Sequence, residues 1–212
     1  MRAVRDVGDL YTVARRRINY VESLLPLTRV AVTRDVDRAV AFASIELLNC
    51  WAGFSRSLYF SACFGARDAS GASISTSVNL RDMLDAQLFA AQRFTRRSLQ
   101  RGAVTHRDEP NWLQSSTLIT LLNDIGASNL VTVSTALAGN RRVLTDLPSV
   151  RNFFGHRGQD TARKAAGVGR NYGKPAHLHP AELCVSFAPG RPQSIIRDWA
   201  ADLRDIMKLA AA

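Results

Sequence analysis

Apolar residues recur every three or four positions along almost the whole chain. This period is that of an α-helix with one apolar face, and it restricts the fold to packed α-helices. The clearest case is the segment 34–64, which we predict to be one long helix. Thr33 is its expected N-terminal cap and Gly65 its expected C-terminal cap. One face has the spacing of a seam that packs against another helix; its residues are Val40, Ser44, Leu47, Trp51, Phe54 and Leu58.

The same period predicts helices elsewhere, with a long irregular connection before the last one. This connection covers 167–192, is rich in Gly and Pro, and has one short structured piece at 181–188. We therefore expect an all-α fold, a bundle of five to six helices with a long early helix, in a single domain over 1–212. The further helices are predicted over 10–25, 79–97, 112–125, 145–166 and 192–210.

The charge of the chain favours an anionic partner. The net charge is +10, and Lys164, Lys174 and Lys208 are the only lysines among 28 basic residues. Such a balance favours nucleic acid first and membrane lipid second. Some genomes are rich in arginine codons, however, so the charge by itself does not establish binding.

Cysteine usage and the N-terminus indicate a cytoplasmic protein. Cys50, Cys63 and Cys184 are odd in number and scattered, which is typical of buried thiols in a reducing compartment. The charged N-terminus lacks the apolar core of a signal peptide, and no apolar run is long enough to span a membrane. His177 and His179 have no accompanying Cys or carboxylate pattern, so no metal site is expected.

The segment 151–157 reads Arg-Asn-Phe-Phe-Gly-His-Arg and lies on a predicted helix. Arginine binds phosphate oxygens with two parallel N–H groups, and histidine can take and give a proton near neutral pH. On an ideal helix Asn152 and His156 share a face, whereas Arg151 is about 140° from His156. The two side chains can act on one phosphate if Arg151 reaches around the helix, or if a two-fold dimer adds a second copy.

This segment, on a late helix of a small α-helical bundle, resembles the active-site signature of HEPN ribonucleases from toxin–antitoxin and phage-defence systems. The long early helix with Glu46 and Trp51 is similar to the first half of such bundles. The resemblance implies a metal-independent endoribonuclease with no cofactor, whose active site is shared between the subunits of a homodimer. It implies RNA as substrate, a role as toxin or defence effector, and a cognate antitoxin protein as a possible partner; no membrane partner is expected.

The resemblance also implies roles for individual residues. His156 is expected to act as general base toward the ribose 2′-OH or as general acid toward the leaving oxygen, which leaves a 2′,3′-cyclic phosphate. Arg151 is expected to hold the phosphate and to stabilise the charge of the transition state. Asn152 is expected to orient His156 or to contact the backbone. Arg157 either extends the phosphate contacts or is a surface arginine without a role.

Several alternatives remain open at this stage. Arg101 and His106, and likewise Arg170 and His177, also match the bare spacing, although both pairs lie in predicted loops. The stretch 167–173 resembles a phosphate-binding loop but lacks the preceding strand, so it is interpreted as a flexible linker. The whole chain could be a non-catalytic module that binds RNA, nucleotide or a partner protein.

Two interpretations without a catalytic role also remain open. Arg151 and His156 could merely cap and solvate a helix. Glu46 is either a polar partner of the site or a surface charge.

Overall fold

The computed structural model describes residues 6–28, 30–95, 97–139, 142–175 and 177–212. The structure is 63% helix and its described residues form no strand, which confirms the predicted all-α class. The charged N-terminal residues 1–5 lie outside the described part. The described residues form nine α-helices, namely α1 (Val7–Ser23), α2 (Arg34–Cys63), α3 (Met83–Phe94), α4 (Ser115–Asp124), α5 (Leu130–Ala138), α6 (Val143–His156), α7 (Gln159–Val168), α8 (Pro180–Val185) and α9 (Ile195–Ala210).

The chain divides into two compact units. The first unit comprises Met1–Ala14, Trp51–Gly139 and Ile206–Ala212, and the second comprises Arg15–Cys50 and Asn140–Asp205. Each unit has buried apolar residues of its own. The expectation of a single domain over 1–212 stays a prediction.

Helix α2 has almost the bounds that its sequence predicts. The Thr33 hydroxyl accepts a hydrogen bond from the Val36 N–H at 3.3 Å, so Thr33 is the N-terminal cap. At the other end Gly65 has a φ of 68°. Its N–H donates to the Ala62 carbonyl at 3.3 Å, and the next N–H along the chain donates to the Ser61 carbonyl at 3.1 Å. This pair of bonds is a Schellman motif, which needs the left-handed backbone that glycine adopts without a Cβ penalty.

In the first unit, aromatic residues of α2 hold the following segments in place. The Trp51 indole N–H donates to the Leu113 carbonyl at 3.1 Å, and the Tyr59 hydroxyl donates to the Ala86 carbonyl at 3.1 Å. The Tyr59 and Trp112 rings lie 5.6 Å apart. Both polar ends of these buried side chains are therefore hydrogen-bonded, as burial of an indole or a phenol requires.

In the second unit, Arg197 of α9 completes the end of α1. Its guanidinium donates to the carbonyls of Glu22 at 2.8 Å, Leu25 at 2.7 Å and Pro26 at 3.1 Å. Glu22 is in the last turn of α1, where carbonyls lack partners within the helix, and Leu25 and Pro26 follow the helix, so these bonds satisfy carbonyls at and just after its end. Arg204 on the same helix pairs with the Glu22 carboxylate. Helix α9 is thus bonded to the C-terminal end of α1.

The predicted helix over 145–166 is in fact two helices, α6 and α7, and this break is one reason why the helix count exceeds five to six. Arg157 adopts a left-handed conformation with a φ of 44°, and its N–H donates to the Phe153 carbonyl at 2.7 Å. Gly158 then starts α7, and its N–H donates to the Thr161 hydroxyl at 3.0 Å. Glycine favours the helix interior less than other residues do, so the chain can turn at this point.

The three cysteines are buried and unpaired, as expected from their spacing. Burial raises the pKa of Cys50 to about 11 and that of Cys63 to about 12, so both thiols stay protonated near neutral pH. They act as small apolar side chains. Within the described residues, no helix combines the length and the hydrophobicity that crossing a membrane requires.

We expect Gly126→Ala to lower the free energy of unfolding by more than about 2 kcal/mol, since both backbone strain and overlap oppose it. Gly126 has a φ of 61°, and a Cβ there would lie 2.3 Å from the Ser77 hydroxyl oxygen. Gly102→Ala is the matched control, because its φ is 81° but no atom lies within 4 Å of its Cβ position. Urea unfolding of both variants tests this, and equal losses would contradict the overlap.

Candidate active site

The segment 151–157, called the signature segment below, comprises the C-terminal turns of α6 and the capping residue Arg157. Its apolar and polar side chains lie on different faces. Phe153 and Phe154 are 9% and 8% exposed, and their rings meet edge to face at 5.2 Å. They anchor this end of the helix in the second unit. Asn152 and His156 are exposed and Arg151 is half-buried. A ligand in solvent can therefore reach both Arg151 and His156.

A buried carboxylate fixes α6 to its neighbours. Asp146 accepts hydrogen bonds from the Asn171 amide and the Tyr172 hydroxyl, both at 3.0 Å. The Tyr172 oxygen in turn accepts from the Trp199 indole N–H at 2.6 Å. The stretch 167–173, interpreted above as a flexible linker, is therefore an ordered 3₁₀ turn over Gly169–Tyr172 that is bonded to the helix carrying the site.

Asp146 makes the stability of the fold depend on pH. Burial raises its pKa above the ordinary value of 3.8, although the hydrogen bonds from Tyr172 and Asn171 oppose this effect. The folded state therefore holds this proton more tightly than the unfolded state, and stability falls as the pH rises above about 3.8 through the folded-state pKa.

We expect Asp146→Asn to remove this dependence. In urea unfolding between about pH 3.5 and 7, the wild-type protein loses stability relative to the variant as the pH rises. The variant also loses one hydrogen bond at all pH values, because an amide has only one acceptor oxygen, but that loss does not change with pH. A constant difference between the two proteins would contradict the raised pKa.

Arg151 extends along α6 toward the end of the helix. Its Nη1 donates to the Asn152 side-chain oxygen at 3.2 Å. The same nitrogen lies 3.9 Å from the position that a Cβ would take on Gly155. Gly155 directly precedes His156, so the guanidinium lies along the last turn of α6, between Asn152 and Gly155.

Asn152 contacts Arg151 in the structure, whereas the sequence-based hypothesis had it orient His156 or contact the backbone. An amide oxygen fixes one donor of the guanidinium and leaves its other N–H groups unused. Gly155 contributes space, because the absence of a side chain leaves room for the guanidinium above the last turn. Asn152 therefore orients the Arg151 side chain.

Arg157 forms an ion pair that its position in the sequence did not reveal. Its Nη2 donates to Asp37 Oδ2 at 3.1 Å, although the two residues are 120 positions apart. Arg157 is the non-glycine residue with positive φ in the described chain, a conformation that costs about 1 to 2 kcal/mol. Strain of this kind often occurs at functional sites. If Arg157 extends the phosphate contacts, it does so with its guanidinium already paired to the Asp37 carboxylate.

Arg151 and the His156 imidazole have no acidic partner among the described residues. No carboxylate of the described chain pairs with Arg151, and no described side chain bonds to the His156 imidazole. The alternative arginine, Arg101, behaves differently because it pairs with Asp82 and Asp85. A guanidinium without a carboxylate partner can bind an anion, whereas a guanidinium that pairs with two carboxylates has less capacity to do so.

Glu46 has a partner in the second unit. Its carboxylate accepts from Arg17 and, at 3.0 Å, from the Asn49 amide. Burial raises the pKa of Glu46, but the bonds from Arg17 and Asn49 outweigh burial, so the pKa lies below its ordinary value. Glu46 is an ionised partner of α1, and no contact in the described residues joins it to the signature segment.

His179 and Asp37 are the residues near the segment that sequence reasoning missed. The His179 ring meets the Phe153 ring edge to face at 5.3 Å, and its Nδ1 lies 3.9 Å from Asp37 Oδ1. Asp37 is in the first turn of α2, where an acidic residue ordinarily indicates a favourable interaction with the helix dipole. A single sequence contains no signal that pairs residues so far apart.

Within the part of the chain that the structure describes, no three His, Cys, Asp or Glu side chains cluster in the manner of a metal site. Comparison of the chain with protein-family models, with curated proteins and with solved structures found no match.

Proposed function

We propose that this protein is a metal-independent endoribonuclease of HEPN type. The observation that carries the proposal is the exposed end of α6, where the Arg151 guanidinium lies over Gly155, the residue before His156, with no carboxylate partner among the described residues. Both groups are on α6, whose buried side holds two phenylalanines. The net charge of +10 supports an anionic substrate.

RNA provides the chemistry that such a small site needs. The ribose 2′-OH is an internal nucleophile, so the protein has to supply only proton transfer and stabilisation of negative charge. His156 exchanges the proton, and Arg151 binds the phosphate and stabilises the charge that develops on its oxygens. Asn152 holds Arg151 in the required direction. The expected products end in a 2′,3′-cyclic phosphate and a 5′-OH.

The partners of this activity are part of the proposal. The resemblance to HEPN proteins supports a homodimer in which two copies of the segment share one cleft, and a role as toxin or phage-defence effector with a cognate antitoxin. Arg157, linked to Asp37, lies next to His156 in sequence and is the residue proposed to extend the phosphate contacts.

The test is cleavage of single-stranded RNA and of DNA with the same sequence, both in excess EDTA. We expect the RNA to be cut, with 2′,3′-cyclic phosphate ends, and the DNA to stay intact because it lacks the 2′-OH. Cleavage that EDTA abolishes, or equal cleavage of DNA, would contradict the proposal.

One observation in the first unit favours a second candidate, a non-catalytic module that binds nucleotide or RNA. A cavity of about 560 Å³ is lined by Arg97, Arg107 and the half-exposed ring of Phe94. Arg107 forms no ion pair with a described carboxylate, whereas Arg97 interacts electrostatically with Asp108, which also lines the cavity. The neighbouring Glu109 is held by Arg56 at 2.7 Å. Guanidinium groups and an aromatic ring are the usual partners of phosphate and base.

The same assay separates the two candidates. A binding module shifts labelled RNA in a gel without shortening it, and the double variant R97A/R107A reduces that shift. The nuclease shortens the RNA.

A further inference from the structure

The proposed reaction needs two proton transfers, and the signature segment supplies one imidazole. A base removes the proton of the 2′-OH, and an acid protonates the leaving 5′-oxygen. The resemblance assigns these two tasks to two copies of His156 in a dimer. A second imidazole in the same unit of the same chain would provide both groups within one protomer.

His179 lies against the signature segment. Its ring centroid is 5.3 Å from that of Phe153, with the two planes at 81°. Phe153 and His156 are three residues apart on α6, and residues at this spacing are neighbours on a helix surface. The His179 side chain is 45% exposed, so a ligand bound at the end of α6 can reach it.

The hydrogen bonds of His179 define which nitrogen can act on a ligand. Its Nδ1 accepts the Ala181 backbone N–H at 3.2 Å at the start of α8. A backbone N–H can only donate, so the proton of the neutral ring is on Nε2. The Nε2–H has no acceptor among the described residues and is the donor that His179 offers to a ligand.

Asp37 is placed to support the doubly protonated ring. Its Oδ2 is occupied by Arg157, whereas Oδ1 is buried and accepts no hydrogen bond from a described residue. This oxygen lies 3.9 Å from His179 Nδ1. When both ring nitrogens carry a proton, Nδ1–H can turn from its helix-capping role to Asp37 Oδ1. A carboxylate on the far side of an imidazole from the substrate orients the ring for proton transfer.

We infer that His179 is the general acid of the proposed ribonuclease and that Asp37 is its positioning residue. This inference rests on the proposed function. His156 removes the 2′-OH proton while O2′ bonds to phosphorus, the P–O5′ bond breaks, and the doubly protonated His179 ring gives its Nε2 proton to O5′ and keeps the proton on Nδ1. His156 then holds one proton more and His179 one fewer, and exchange with water restores both rings.

The decisive variant is His179→Asn, which separates capping from proton transfer. Asparagine is among the best N-terminal caps and can replace the bond to the Ala181 N–H, but it cannot act as an acid. We expect H179N to keep the wild-type melting temperature and to cleave RNA about 100-fold more slowly. His177→Asn is the matched control, because it is an exposed histidine of the same loop, and it is expected to cleave normally.

A second substrate distinguishes an acid from a structural residue. An RNA oligonucleotide with sulfur in place of O5′ at the mapped cleavage position has a leaving group that needs no proton. We expect H179N to cleave this RNA within about threefold of wild type, since the general acid is not required. His156→Ala is expected to stay slow on both substrates because the base is still missing.

The outcomes are distinguishable from failure of the proposed function. Normal cleavage of ordinary RNA by H179N, or an equal loss on the two substrates, would overturn the role of His179 and leave the nuclease assignment standing. Absence of cleavage by the wild-type protein would overturn the nuclease and this inference together.

Discussion

His156→Ala is expected to slow RNA cleavage by a factor of about 100 to 10,000, the range typical for loss of a general acid or base. The side chain is exposed and is the last residue of α6, so its removal exposes no core and leaves no cavity. The melting temperature is therefore expected to stay within experimental error of the wild type. Single-turnover cleavage of labelled RNA with excess enzyme measures the chemical step itself.

His106→Ala is the matched control for this measurement. His106 is also exposed and lies five residues after Arg101, which reproduces the spacing of the signature pair. The Arg101 guanidinium is already held by Asp82 and Asp85. We expect this variant to cleave at the wild-type rate. If H156A also cleaved at that rate, His156 would have no part in the reaction.

Regular helices were predictable because local signals agree with one another. Helix α2 was expected over 34–64 and runs from Arg34 to Cys63, since its cap residues and its apolar period indicate the same ends. The last helix was expected over 192–210 and is Ile195–Ala210. In both segments the period and the burial of one face favour the same structure, and in α2 the capping residues agree with them.

The break after His156 was not predictable in the same way. Arg157 is a residue that ordinarily favours a helix, yet it adopts the left-handed conformation at the end of α6. Its ion pair with Asp37 joins segments 120 residues apart, and no local pattern encodes such a pair. The local sequence therefore predicted one continuous helix over 145–166. In the structure the chain turns at Arg157, where the ion pair with Asp37 forms.

The candidate site shows the same division. Arg151, Asn152 and His156 were found from sequence because they are contiguous and chemically distinctive. The contact between Asn152 and Arg151 required the structure, since neighbouring residues on an ideal helix point in different directions. The position of His179 also required it, because an irregular connection lies between this residue and α6.

Arg151→Ala is expected to slow cleavage by a factor of about 100 to 1,000, because the phosphate loses the group that stabilises its transition-state charge. Arg151→Lys is expected to recover only part of this loss. Lysine keeps the charge but lacks the planar pair of N–H groups that binds two phosphate oxygens. The three proteins are compared by kcat and KM on the same RNA, since an interaction made in the transition state lowers kcat.

Gly155→Ala and Gly155→Leu provide the structural control for Arg151. A Cβ at Gly155 would lie 3.9 Å from the Arg151 Nη1, which is an ordinary van der Waals contact, so the alanine variant is expected to cleave normally. Leucine extends into the space that the guanidinium occupies and displaces it, so we expect a loss close to that of Arg151→Ala. If G155L cleaved like the wild type, the guanidinium would act from some place other than above Gly155.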